Sequence, residues 1–223
     1  MPDFASTFLN WHVLITVWPL LAEGVGLTMA LAALSLPIAI CGGLLLAVLH
    51  GLDSRPLRWA LITYIDLLRA IPPLVLLIFI FYGLPFLGLE LGPITAATLA
   101  LSLNGASYFA EIFRAGLEGV PKGVREAARS TGLTWRQMMT SVVIPIGVSA
   151  ILPDLVSNTI ELFKETSIAS AVALQELLRS AQIAQGITYN PTPLIAAAII
   201  YLAVLWPFVR LVSRIQKRPT PFP

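Results

Sequence analysis

The chain reads as an all-α integral membrane protein, and three observations point there. Its composition is 57% hydrophobic and only 12% charged, with a mean hydropathy of +0.84, too apolar for a soluble domain of 223 residues. Gly24 to Val48 carries no charged side chain, and at 1.5 Å per residue it reaches roughly 37 Å, enough to cross a hydrocarbon core of about 30 Å. Further apolar runs follow, with clusters of Lys and Arg between and after them.

Taken in order, residues 1–19 place Phe4, Phe8 and Trp11 at helical spacing, with Trp18 beyond. They predict either a short interfacial helix with an aromatic face or a chain end carrying belt aromatics. No basic stretch or small-residue cleavage pattern marks a signal peptide. Five transmembrane helices are predicted within one domain of residues 1–223, at about 24–48, 57–84, 94–113, 140–163 and 194–212. The first contains Pro37 and Gly42-Gly43, which neighbouring helices make tolerable in a membrane. The second follows the polar turn His50 to Pro56 and is broken by Asp66, Arg69 and Pro72-Pro73. Asn104 and Glu111 lie in the third, with Arg114 just past its end, while the fourth holds Pro145, Pro153, Asp154, Asn158 and Glu161. A polar connector from Lys164 to Pro193, with a helix expected around Ala171 to Gln182, leads to the fifth.

Orientation follows from the cations. All 14 Lys and Arg lie at or after Arg55. Arg55 and Arg58, then Lys122, Arg125, Arg129 and Arg136, then Arg210, Arg214, Lys217 and Arg218 fall on one side if there are five spans. The positive-inside rule makes that side cytoplasmic, with the N-terminus outside and the C-terminus inside.

Between the third and fourth spans, residues 119–136 are too charged for hydrocarbon. Pro121 suits a first helical turn, Glu126-Ala127-Ala128 are helix formers, and Gly132 stands where a helix ends left-handed. Val124, Ala127 and Ala128 fall along one side, and Lys122, Arg125 and Arg129 mostly along the other. Glu126-Ala127-Ala128, three residues, Gly132, nine residues and Val142-Val143-Ile144-Pro145 are similar to the EAA signature of ABC-importer permeases, EAA-x3-G-x9-I-x-L-P, with Val142 and Ile144 as conservative departures. Leu68 to Leu74, Tyr108 to Gly116 and Lys164 to Ser170 resemble the polar amino-acid branch, histidine, glutamine and arginine uptake type, and the likeness extends from Glu23 to Arg218.

The resemblance implies that this loop is a coupling helix docking on an ATPase through Glu126, Ala127, Ala128 and Gly132. It further implies two permease subunits, identical or paralogous, two ABC ATPase subunits and an extracytoplasmic solute-binding protein in a bacterial cytoplasmic (inner) membrane. The expected role is to form the translocation path for polar amino acids or related zwitterions, with ATP hydrolysed by the partner.

What the chain lacks is consistent with that role. There is no G-x-x-x-x-G-K-[ST] loop, H-E-x-x-H, G-x-S-x-G or Cys/His cluster, so no nucleotide site, metal site or cofactor is expected. Cys41 has no partner for an internal disulfide, and no basic face is free for nucleic acid. Charges at membrane depth cost about 2.5 to 3.5 kcal/mol each unless they face protein or water. Asp66, Arg69, Asn104, Asn158 and Glu161 are accordingly the expected path residues. Asp66 with Arg69, Glu111 with Arg114, and Glu161 with Lys164 are also spaced to pair along one helix. Among the charges at membrane depth the acidic Asp66, Glu111, Asp154, Glu161 and Glu165 outnumber the basic Arg69, Arg114 and Lys164, tilting the expectation toward a cationic solute. The rival readings are a secondary transporter and an intramembrane enzyme using Asp66 and Asp154.

Overall fold

A computed structural model of the chain describes residues 7–52 and 54–216, and every regular element in it is helical. Phe4 of the expected aromatic face and the tail cations Lys217 and Arg218 lie outside the described residues.

Helix α1, Trp11–His50, is continuous over 40 residues, about 60 Å, twice the hydrocarbon thickness. The Asn10 side chain starts it by accepting from the Val13 amide at 3.2 Å. Trp11 and Trp18 belong to the first turns of α1 rather than to the segment before it, where Thr7 and Phe8 are helical and are followed by the non-helical Leu9 and Asn10. The reason is tertiary: Val17 and Leu21 are buried against Leu177, Ala181, Ala184 and Ala197 of later helices, which draws the segment into the bundle despite Pro19.

Helix α2 (Arg55–Ala70) and α3 (Pro73–Ile78) are two arms of a broken element. A π turn, Phe79–Gly83, and a 3-10 turn, Leu84–Leu87, prolong α3, and the arms meet at 99°. Pro72 and Pro73 impose the break, since neither has an N–H and the first pushes Ile71 into an extended conformation (φ −84°, ψ 123°). Helix α4, Pro93–Glu118, lies at the centre and packs on α1, α2 and α3 and on the later helix α7. It approaches α1 closely at Gly43, where an added Cβ would lie 2.5 Å from the Phe109 Cβ.

Helix α5, Lys122–Ser130, is the loop helix. The short α6, Trp135–Met138, passes through a π turn, Met139–Val143, into α7, Ile144–Glu165, which continues past Pro153. A 3-10 turn, Thr166–Val172, follows. The next helix, α8, is Leu177–Thr188 and begins later than the Ala171–Gln182 expectation. Ala173 takes φ +59° and ends the preceding turn, and the Glu176 carboxylate caps α8 by accepting from the Leu178 and Arg179 amides, each at 2.8 Å. Helix α9, Thr192–Gln216, closes the described chain.

Three stretches are long and apolar enough to cross a membrane: Trp11–His50, Trp135–Val172 and Thr192–Arg214. The bent pair Arg55–Ala70 and Pro73–Leu87 makes a fourth if its arms form one span. The remaining expected span, 94–113, lies within α4, whose buried face includes Ser102, Asn104 and Ser107. Length and composition therefore single out fewer spans than the sequence pattern predicts.

Candidate functional site

The break between α2 and α3 organises the first group of candidate residues. In an unbroken helix the Pro72 nitrogen would donate to the Leu68 carbonyl, so proline leaves that oxygen without its helical partner. Asn104 of α4 supplies the replacement: its Nδ2 donates to Leu68 O at 2.9 Å and to Ile71 O at 3.5 Å. Asn104 is 1% exposed, and its own Oδ1 is buried with no hydrogen-bond partner among the described residues. The same is true of the Asn158 Nδ2 on α7. Asn158 stands one turn before Leu162, whose Cδ1 would meet a Cβ added at Gly105 at 2.6 Å. One open acceptor and one open donor thus flank the α4–α7 contact, and an unsatisfied buried polar group typically costs about 1–3 kcal/mol.

The charged residues divide. Glu161 and Lys164 make the ion pair their spacing predicts, at 2.6 Å, and both are exposed. Glu111 pairs with Arg114, which also reaches Glu118. Asp66 and Arg69 do not form an ion pair. Both are exposed, and Arg69 lies over the ring of Tyr108, its guanidinium carbon 5.2 Å from the centroid. Tyr108 was not singled out from sequence, although its spacing of four from Asn104 would have placed the two on one face of a helix. Asp154 is exposed as well, and neither it nor Asp66 makes an ion pair or side-chain hydrogen bond among the described residues.

The second group lies on α5. Pro121 precedes the helix as its N-cap, and Gly132 follows its end with φ +85°, a left-handed conformation that suits glycine because a Cβ would be strained there. Glu126 and Ala127 are exposed. Ala128, by contrast, is 8% exposed and packs with Val120, Met138 and Val143 of its own chain. The two alanines therefore do not share one outward surface. Arg125 also departs from the outer cationic side expected of it: its guanidinium donates to the Leu117 carbonyl in the last turn of α4. Beside it, Lys122, Arg125, Glu126, Arg129, Trp135 and Met138 line a hollow of about 290 Å³. The outward side of α5 can therefore meet a partner while its inward side is built into the bundle.

Glu176 is a buried carboxylate that sequence reasoning missed. It is 0% exposed and accepts from the Tyr201 hydroxyl at 3.0 Å in addition to the two α8 amides. A single acid in a polar connector carries no local signal of burial.

Comparison with known proteins identifies the family. Residues 39–220 match the family described as binding-protein-dependent transport system inner membrane component. The chain is 33% identical to the arginine transport system permease protein ArtQ of Bacillus subtilis (strain 168), over 88% of this chain and 91% of that protein. It is 35% identical to the L-cystine transport system permease protein TcyB of the same organism, over 95% and 90%. A crystal structure of an amino acid ABC transporter with histidines superposes with a TM-score of 0.87 at 34% identity, covering 98% of this chain and 100% of that one.

Proposed function

The chain belongs to the family of binding-protein-dependent transport system inner membrane components and is a permease subunit of an ABC importer, and from that footing we propose that it carries a polar amino acid or a related zwitterion across a bacterial inner membrane. The family implies an ATPase and a solute-binding protein as partners, and usually a second permease. In the proposed arrangement five spans place the N-terminus outside and the C-terminus inside, α5 is the coupling helix, and the path runs beside the broken α2–α3 element and the α4–α7 contact.

The observation that carries the substrate reading is the pair of open amide groups. Asn104 Oδ1 is an acceptor suited to an ammonium and Asn158 Nδ2 a donor suited to a carboxylate, the two ends that every amino acid offers. Asp66, Arg69 and Glu161 supply the charged walls of the path. The exposed side of α5, with Glu126 and Ala127, seats on the ATPase. Gly132 lets the chain turn back at once toward α6 and α7, while Ala128 and Arg125 tie the helix to the bundle. ATP is hydrolysed by the partner, and this chain makes and breaks no covalent bond.

Proteoliposomes holding the permease, its ATPase and its binding protein test the proposal. Uptake of L-arginine or L-cystine that requires ATP supports it. Uptake driven by an ion gradient in vesicles with this chain alone would establish a secondary transporter instead.

A further inference from the structure

We propose that Tyr108 is a cation-binding residue of the solute path, and that its ring is held by Arg69 until the ammonium of a zwitterionic solute takes that place. The inference rests on the amino-acid importer reading above. Arg69 sits in the last turn of α2, immediately before the 99° break, with its guanidinium carbon 5.2 Å from the Tyr108 centroid, inside the range of cation–π attraction. Asp66, three residues earlier and correctly spaced, does not claim it. Among the described residues the ion pairs are those of Arg114 with Glu111 and Glu118, and of Lys164 with Glu161. Tyr108 is 37% exposed, so the ring is reachable. Asn104, with its open Oδ1, is one helical turn away on the same face of α4.

A guanidinium resting on a ring is held more weakly than one held by two parallel hydrogen bonds to a carboxylate. Arg69 is therefore poised to exchange partners, and a zwitterion supplies both halves of the exchange. Its ammonium replaces the guanidinium on the ring, and its carboxylate accepts two N–H bonds from the guanidinium so released. One cation replaces another at Tyr108, and the released Arg69 is neutralised by the group that arrives with its rival. An amine lacking the carboxylate leaves Arg69 displaced and unpaired, and an N-acylated amino acid with an uncharged side chain has no cation to place on the ring.

The test is equilibrium binding of labelled L-arginine and L-glutamine to the purified permease–ATPase complex, without the binding protein, with N-acetyl-L-glutamine and the decarboxylated form of each amino acid as competitors. Tyr108→Phe keeps the ring face and is expected to rescue most of the binding that Tyr108→Leu loses. Tyr108→Leu is expected to bind roughly five- to thirtyfold more weakly, with the melting temperature of the complex unchanged. Arg69→Gln is expected to weaken the amino acids, whose carboxylate loses its partner, while the decarboxylated amines bind more tightly because no guanidinium competes for the ring, a split that a packing role would not produce. Wild-type binding retained in Tyr108→Leu, or equal losses for amino acid and amine in Arg69→Gln, would overturn the exchange while leaving the importer reading standing. If the wild-type complex binds neither amino acid, both fall together.

Discussion

The backbone of Gly147 in α7 rests against the carbonyl of Gly116 in α4, so closely that a Cβ added at Gly147 would lie 2.7 Å from that oxygen. A Cβ at Gly116 would in turn meet Ile151 Cγ2 at 2.6 Å. This crossing joins the two helices that carry Asn104 and Asn158, and Gly116 immediately precedes Leu117, to which Arg125 fastens α5. Close approach of small residues is a principal source of helix association in a membrane, where lipid offers no hydrophobic drive between helices.

Gly147→Val is therefore expected to destabilise the fold by about 1–3 kcal/mol through forced separation of the helices. Gly26→Ala, where an added Cβ meets nothing within 4 Å, is the control. Thermal unfolding in detergent reads the difference, and equal melting temperatures for both variants would contradict the packing described.

Arg125→Gln is expected to loosen α5 from α4 without removing the surface that faces a partner. The ATPase should still co-purify, while the amount of ATP hydrolysed per solute transported rises. An unchanged ratio would mean that the Arg125–Leu117 link plays no part in transmission.

Glu176 lies in the connector between α7 and α9, and burial pushes its carboxyl above the ordinary value against the opposing pull of the Leu178 and Arg179 amides and the Tyr201 hydroxyl. The folded chain then keeps this proton over a pH range in which the unfolded chain has released it, so stability falls as pH rises through that range. The melting temperature should rise as pH is lowered from neutrality toward the ordinary value of 4.5, and Glu176→Gln should remove this contribution. A pH profile identical in wild type and variant would show that Glu176 does not contribute.

Topology offers a separate check. Reporters fused to the two ends should be found extracytoplasmic at the N-terminus and cytoplasmic at the C-terminus. Both on one side would require an even number of spans, and α4 or the α2–α3 pair would then not cross.

What the sequence made legible was mostly local. Pro72-Pro73 announces a broken helix because proline removes donors wherever it stands, and Gly132 marks a helix end because few other residues take φ +85° without strain. The pairs Glu111–Arg114 and Glu161–Lys164 follow from helical spacing alone. The remainder depended on distant partners. That Asn104 mends the break depends on the Leu68 carbonyl, 36 residues away in sequence. Ala127 and Ala128 look equivalent until Met138 and Val143 cover one of them. Asp66 and Arg69 have the spacing of an ion pair, yet Tyr108 on another helix takes the arginine. The continuity of α1 past Pro19 likewise depends on α8 and α9.

The central claim is that the outward side of α5 couples an ATPase to the path inside the bundle. Ala128→Trp is a poor probe of it, because that side chain is buried in the chain's own core and the substitution would disturb folding. Glu126→Lys and Ala127→Trp change exposed positions. The most direct measurement is therefore solute-stimulated ATP hydrolysis by the reconstituted permease–ATPase complex, read together with co-purification of the ATPase and the melting temperature of the permease. The account predicts that both substitutions lose the ATPase or its stimulation while the permease melts as wild type. Full retention of the ATPase and of stimulated hydrolysis in both variants would contradict it.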